Sequence, residues 1–249
     1  MSWNLFSLVL ASATGWAVLM LGYLPVTELR LHGREPLKAV GAWAVVAATA
    51  PQLVFHWYLI FAVISFVAWT KLDRLAGKFW LAVAGSLGLS LGIIFPLEVS
   101  TVLPALESPL ALASLYLGGA TTALAYVACV RSCLGSAGIR SSGSAKWLAI
   151  CSLAWTVLLS YGMLHEARFP RPLNLPGGNP QTILTANVWT PLIPALFVVA
   201  LAFAAWTAAR RDALSKARWL AGAAAVAALI TSLLAQFVIR TIDMSIATG

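Results

Sequence analysis

The chain has 249 residues, of which 61% are hydrophobic and only 10% charged, with a mean hydropathy of +0.88. Soluble domains average about 45–50% apolar and about 25% charged residues, so this composition excludes a soluble enzyme, a disordered chain, a coiled coil and a disulfide scaffold. The net charge of +8 rests on 16 Lys and Arg; they are accounted for as topology signals, so no nucleic acid partner is expected.

A helix needs about 20 apolar residues to cross a hydrocarbon core about 30 Å thick. The first stretch of that kind is 4–27. The first 18 residues hold no Lys or Arg, so the basic region of a cleavable signal is missing and the stretch reads as a retained span. Next comes 39–70, which is 32 residues long and carries Pro51 near its middle. That is long for one span and short for two, and a proline removes a backbone donor and disfavours helix just before it. Five further spans are predicted at 79–103, 109–130, 147–164, 188–209 and 219–239. Between 147–164 and 188–209 lies a Pro/Gly-rich outer loop, 166–187, with Pro170, Pro172, Pro176, Pro180 and the pair Gly177 and Gly178.

Charge decides how 39–70 is read. As a single kinked span it leaves the loop cations divided 10 against 6; turning back at Pro51 moves Arg30, Arg34 and Lys38 across and makes the division 13 against 3. The positive-inside rule favours the second arrangement. The expected fold is therefore an all-α, polytopic transmembrane helix bundle of 7–8 segments. Eight are preferred, the second short and broken at Pro51, with both termini on the outer, periplasmic side of a bacterial inner membrane. No separate soluble domain is expected: 1–249 is one integral membrane domain.

Ionisable groups at membrane depth are costly and become functional candidates by default. Glu98 lies well inside its span beside Pro96, and His56 follows the Pro51 turn; these two are the candidate catalytic groups. His165 and Glu166 close the 147–164 span, and Arg240 and Asp243 close the last one, with Gln236 a turn deeper. Eight segments put His56, Glu98, His165, Glu166, Arg240 and Asp243 towards one outer face. Each has a plainer reading: His56 sits among interfacial aromatics, His165 at a helix end, and Arg240 with Asp243 makes a local i, i+3 ion pair. Cys129, Cys133 and Cys151 read as small apolar fillers, while Gly118, Gly119 and the Ala-rich run 221–228 read as tight helix packing.

Three chemistries suit the outer set. His56 and His165 on different helices are the one pair able to ligate a b-type haem axially. A quinol needs a hydrogen-bond partner and proton acceptor at each hydroxyl, which a His with a carboxylate supplies. A proton- or ion-coupled carrier would titrate Glu98. The first reading is an integral membrane subunit of a respiratory or electron-transfer complex. It would anchor partner subunits in the bilayer and handle quinol near the outer face, with one haem b and/or quinone as its cofactors. Eight helices with both ends outside is a layout similar to that of the membrane anchors of molybdenum-enzyme complexes, an analogy of layout without a shared motif. The alternatives are a small transporter or channel using Glu98, with helix breaks at Pro51 and Pro96, and a membrane-embedded enzyme with a His/Glu site, in which metal ligands are open.

Overall fold

The computed structural model describes residues 109–133, 139–168 and 180–247, together with scattered positions between 9 and 20 and position 83. Four long helices account for most of them: α1 (Pro109–Cys133), α2 (Ile139–Arg168), α3 (Pro180–Arg210) and α4 (Leu214–Ala247). Among the described residues there is no strand. Proline opens both α1 and α3, at the position where its missing N–H costs nothing and its fixed φ already suits a helix. Pro191 and Pro194 lie inside α3, where each withholds an amide from the carbonyl one turn earlier. Spans in lipid tolerate this when neighbouring helices cover the site.

The turn from α3 to α4 takes three residues and closes as a Schellman motif. The Ala213 amide donates to the Ala208 carbonyl at 3.0 Å and the Asp212 amide to the Ala209 carbonyl at 3.3 Å. Asp212 takes the left-handed conformation, φ 54°, that this cap requires, a conformation that Asp tolerates better than most residues. So tight a turn makes α3 and α4 antiparallel neighbours.

Contacts run α1–α2, α2–α3, α3–α4 and α4–α1, a closed square with α2 and α4 on one diagonal. Antiparallel order at α1–α2 follows from two bonds. Arg131 Nη1 donates to Ser144 Oγ at 2.6 Å near one end, and Trp155 Nε1 donates to Ser114 Oγ at 3.3 Å further along. α1 lies deepest. None of its described side chains is exposed, because its remaining side is covered by the helical residues between 9 and 20. There the Ser12 hydroxyl donates to the Leu115 carbonyl at 3.1 Å, and Val9 packs on Leu115.

Small residues line the inside of the square. On α4 the buried positions Ala217, Ala221, Ala224, Ala228, Thr231 and Ala235 alternate steps of four and three, the seam of a left-handed bundle. α3 answers with Ala195, Ala202, Ala205 and Ala209. Large apolar side chains point outward instead: Trp147, Val157, Tyr161, Ile193, Phe197, Trp219 and Ile230 are all exposed. A water-soluble bundle does the reverse. Lipid removes the hydrophobic drive between helices, so close backbone approach across small residues becomes the main cohesive term.

Each helix carries a stretch long and apolar enough to cross a membrane: Ala113–Ser132, Gly143–Gly162, Trp189–Arg210 and Leu214–Val238. Exposed aromatics mark both ends, Trp147 and Trp219 at one and Tyr161 and Trp189 at the other. Along α2, 14 residues separate Trp147 from Tyr161, about 21 Å at about 1.5 Å per residue. Along α3, 17 residues separate Trp189 from Trp206, about 26 Å on the same scale. Such belts fit a hydrocarbon layer of about 30 Å. The chain is an integral membrane helix bundle in contact with lipid.

Candidate functional site

In a core built of alanine, one large ring stands out. Trp155 on α2 is 0% exposed. It packs with Leu159, with Leu192, Ala195 and Val198 of α3, and with Ala228, Ala235 and Val238 of α4. An indole buried in an apolar core needs a partner for its N–H, and Ser114 of α1 provides it. Gly118, one turn along α1, gives the ring its room. A Cβ there would meet the Ser232 hydroxyl and would come within 2.9 Å of Trp155 Cζ2. Ser114, Gly118, Trp155 and Ser232 thus converge from three helices.

Hydroxyls on these helices are mostly satisfied within their own helix, donating to a carbonyl one turn back. Thr121 bonds the Leu117 carbonyl at 2.8 Å, Thr156 that of Ser152 at 2.8 Å, and Thr231 that of Ala227 at 2.7 Å. This is the usual resort of Ser and Thr in apolar helices. Ser232 departs from it: its Oγ is buried and has no hydrogen-bond partner. A buried hydroxyl left so costs about 1–3 kcal/mol. Gln236, one turn further along α4, is 1% exposed. Together with the Trp155 edge, these two place polar atoms in the interior of the half-bundle towards which α4 ends.

The opposite end is cationic. Arg131, Lys146, Arg210, Arg211, Lys216 and Arg218 gather where α1 and α3 end and α2 and α4 begin. The Arg210 guanidinium sits 5.7 Å from the Trp206 ring centre and that of Arg218 5.5 Å from the Trp219 ring centre.

Of the residues singled out by sequence, Gln236 lies in the polar cluster itself. His165 and Glu166 fall near the end of α2, and Arg240 and Asp243 in the closing turns of α4. Helix direction puts these four at one end of the bundle, on diagonal corners, opposite the cations. His56 and Glu98 lie outside the described residues. The connection after α2 is shorter than the 166–187 expected from composition: α2 continues to Arg168 and Pro180 opens α3, since Pro180 is well tolerated as a first helical residue. Cys129 packs with Ala128, Ala205 and Ala221, as an apolar filler does. Among the described residues no group of three His, Cys, Asp or Glu side chains could hold a metal ion.

Ser114, Trp155 and Ser232 were not singled out by sequence. One signal was present for Trp155: it lies in the middle of its span, whereas interfacial tryptophans sit at span ends. Nothing in the local pattern separates Ser232 from the neighbouring Thr231, which is self-satisfied. Comparison with protein-family models, with curated proteins and with solved structures found no match.

Proposed function

We propose that the chain is a subunit of a membrane electron-transfer complex that handles quinol in the outer half of its bundle. Eight segments with both termini outside, in a bacterial inner membrane, complete the reading. The cationic end then faces the cytoplasm, as the positive-inside rule requires, and the polar interior around Ser232 and Gln236 lies towards the outer face. The carrying observation is the buried, unpartnered Ser232 hydroxyl beside the Trp155 ring. A quinol ring carries two hydroxyls that must each exchange a hydrogen bond and a proton. A serine hydroxyl both donates and accepts, and a glutamine amide does so from separate atoms. Proton acceptance falls to Glu98 and His56, and a haem b, if the complex carries one, to His56 and His165. Partner subunits supply the remaining electron carriers.

The test is purification from the native membrane in mild detergent, followed by a reduced-minus-oxidised spectrum, solvent extraction of quinone and a gel of what co-purifies. Stoichiometric quinone or a redox partner supports the reading, with Ser232→Ala and Gln236→Leu each weakening quinone retention. A colourless chain, free of quinone and of partners, overturns it.

A second reading has an observation of its own. Two prolines three residues apart inside α3 interrupt its hydrogen-bond ladder at membrane depth, as broken helices do at transporter sites. The chain would then be a proton- or ion-coupled carrier titrating Glu98, and cation-dependent uptake by the lone chain in vesicles, abolished in Glu98→Gln, distinguishes it.

A further inference from the structure

The cationic end is more than a set of loop charges. Ala145, Ala209 and Ala217 pack together, bringing the start of α2, the end of α3 and the start of α4 to one point. Lys146, Arg210, Lys216 and Arg218 are the sequence neighbours of those alanines, and all four are exposed, as is Arg211. Asp212 is the sole acidic residue between 206 and 219, so among the described residues the corner carries five cations against one anion. The first turn of α4 holds no acidic residue, so the positive end of a 34-residue helix adds to the same place, with Asp212 the carboxylate just before it. Two rings, Trp206 and Trp219, hold Arg210 and Arg218 at the level where aromatic side chains anchor a helix in the interface.

We propose that this corner is a binding site for the phosphodiester headgroups of anionic phospholipids. The guanidinium groups grip phosphate in planar, bidentate fashion, the lysines add point charges, and the acyl chains lie against the exposed apolar faces of α3 and α4. A basic pocket between helix ends is the form such sites take in membrane proteins. The proposal is independent of any quinol chemistry in the other half of the bundle.

The full chain in detergent, titrated with phosphatidylglycerol or with phosphatidylcholine and read by native mass spectrometry, tests it. Phosphatidylglycerol is expected to be retained in clear preference. Arg210→Gln/Arg211→Gln and Lys216→Gln/Arg218→Gln should each cut that preference by about fivefold per cation removed. Asp212→Asn, which deletes the one opposing charge, should raise it, and this gain is readable even where a double variant folds poorly. Equal retention of the two lipids, or an unchanged preference in all three variants, overturns the proposal. So does full displacement by inorganic phosphate at concentrations comparable to the lipid, which would mark the site as one for soluble phosphate.

Discussion

The close approach of α1, α2 and α4 at Gly118 gives a sharp test of how the bundle is held together. Gly118→Ala and Gly143→Ala are the same chemical change on neighbouring helices, and helix propensity favours both by about 1 kcal/mol. A Cβ at Gly143 meets nothing within 4 Å, whereas one at Gly118 meets the Ser232 hydroxyl and comes within 2.9 Å of Trp155 Cζ2 and 3.2 Å of its Cε2. The hydroxyl can rotate away. The indole cannot, because it is fully buried and its N–H is held by Ser114. Overpacking a close-packed core costs about 1–3 kcal/mol. The propensity gain is common to both variants and cancels in their difference, so the gap between them is the packing term alone. A gap of about 2 kcal/mol is about 4–8 °C in melting temperature for a chain of this size. Thermal unfolding in one detergent, followed by tryptophan fluorescence, measures it, with Gly143→Ala melting above wild type and Gly118→Ala below. Adding Ser232→Ala to Gly118→Ala removes one of the two obstacles and should restore part of the loss, a coupling of about 0.5–3 kcal/mol. If the two alanines melt together, or if Ser232→Ala brings no relief, the α1–α2–α4 contact is not as close as described.

Other substitutions probe separate parts of the same argument. Ser114→Ala strands the buried Trp155 N–H and should cost about 1–3 kcal/mol, while Ser232→Ala removes an unbonded hydroxyl and should be neutral or stabilising by thermal melt. Trp155→Ala empties the centre of the cluster that packs around it, at about 3–5 kcal/mol. The same change at Trp219, which is 70% exposed, should leave the melting temperature nearly unchanged. Asp212→Val forces a β-branched residue into the left-handed cap and should cost about 1–2 kcal/mol, whereas Asp212→Gly should match or slightly exceed wild type. On the proposed orientation, reporter fusions ending at residue 212 should be active only with the cytoplasmic reporter; a periplasmic signal there would refute it.

Four spans were legible in the sequence because crossing lipid demands an unbroken apolar run, and such runs end where charge begins. The expected 109–130, 147–164, 188–209 and 219–239 all fall within α1 to α4. The helices overrun them because backbone hydrogen bonding does not stop where hydropathy does: α2 begins at Ile139, eight residues before Trp147, through Arg140 and Lys146. Pro180 was read as part of a loop since proline is a helix breaker everywhere except in the first turn, and composition alone cannot say which turn it occupies. Gly118 was legible as a packing residue. The partners that crowd it, Trp155 and Ser232, were not: which helices are adjacent is a property of the bundle, and no local pattern encodes it. The ionisable candidates were found by their cost in lipid. Ser232 carries no charge, so that criterion passes over it.

The alanine seam has a consequence for how this chain tolerates change. In a water-soluble protein the damaging replacements are mostly those that subtract, because a core of leucine and phenylalanine relaxes only partly around what is removed and a cavity is left. Here positions such as Ala202, Ala205, Ala224 and Ala228, all 0% exposed, have almost nothing left to subtract. Meanwhile the bulky residues on the outside are solvated by acyl chains whichever apolar shape they take. A complete substitution scan would therefore give an inverted map. Trp155 apart, tolerance would follow the volume added rather than the volume lost, with the small buried residues the least replaceable and the large outward-facing ones nearly interchangeable.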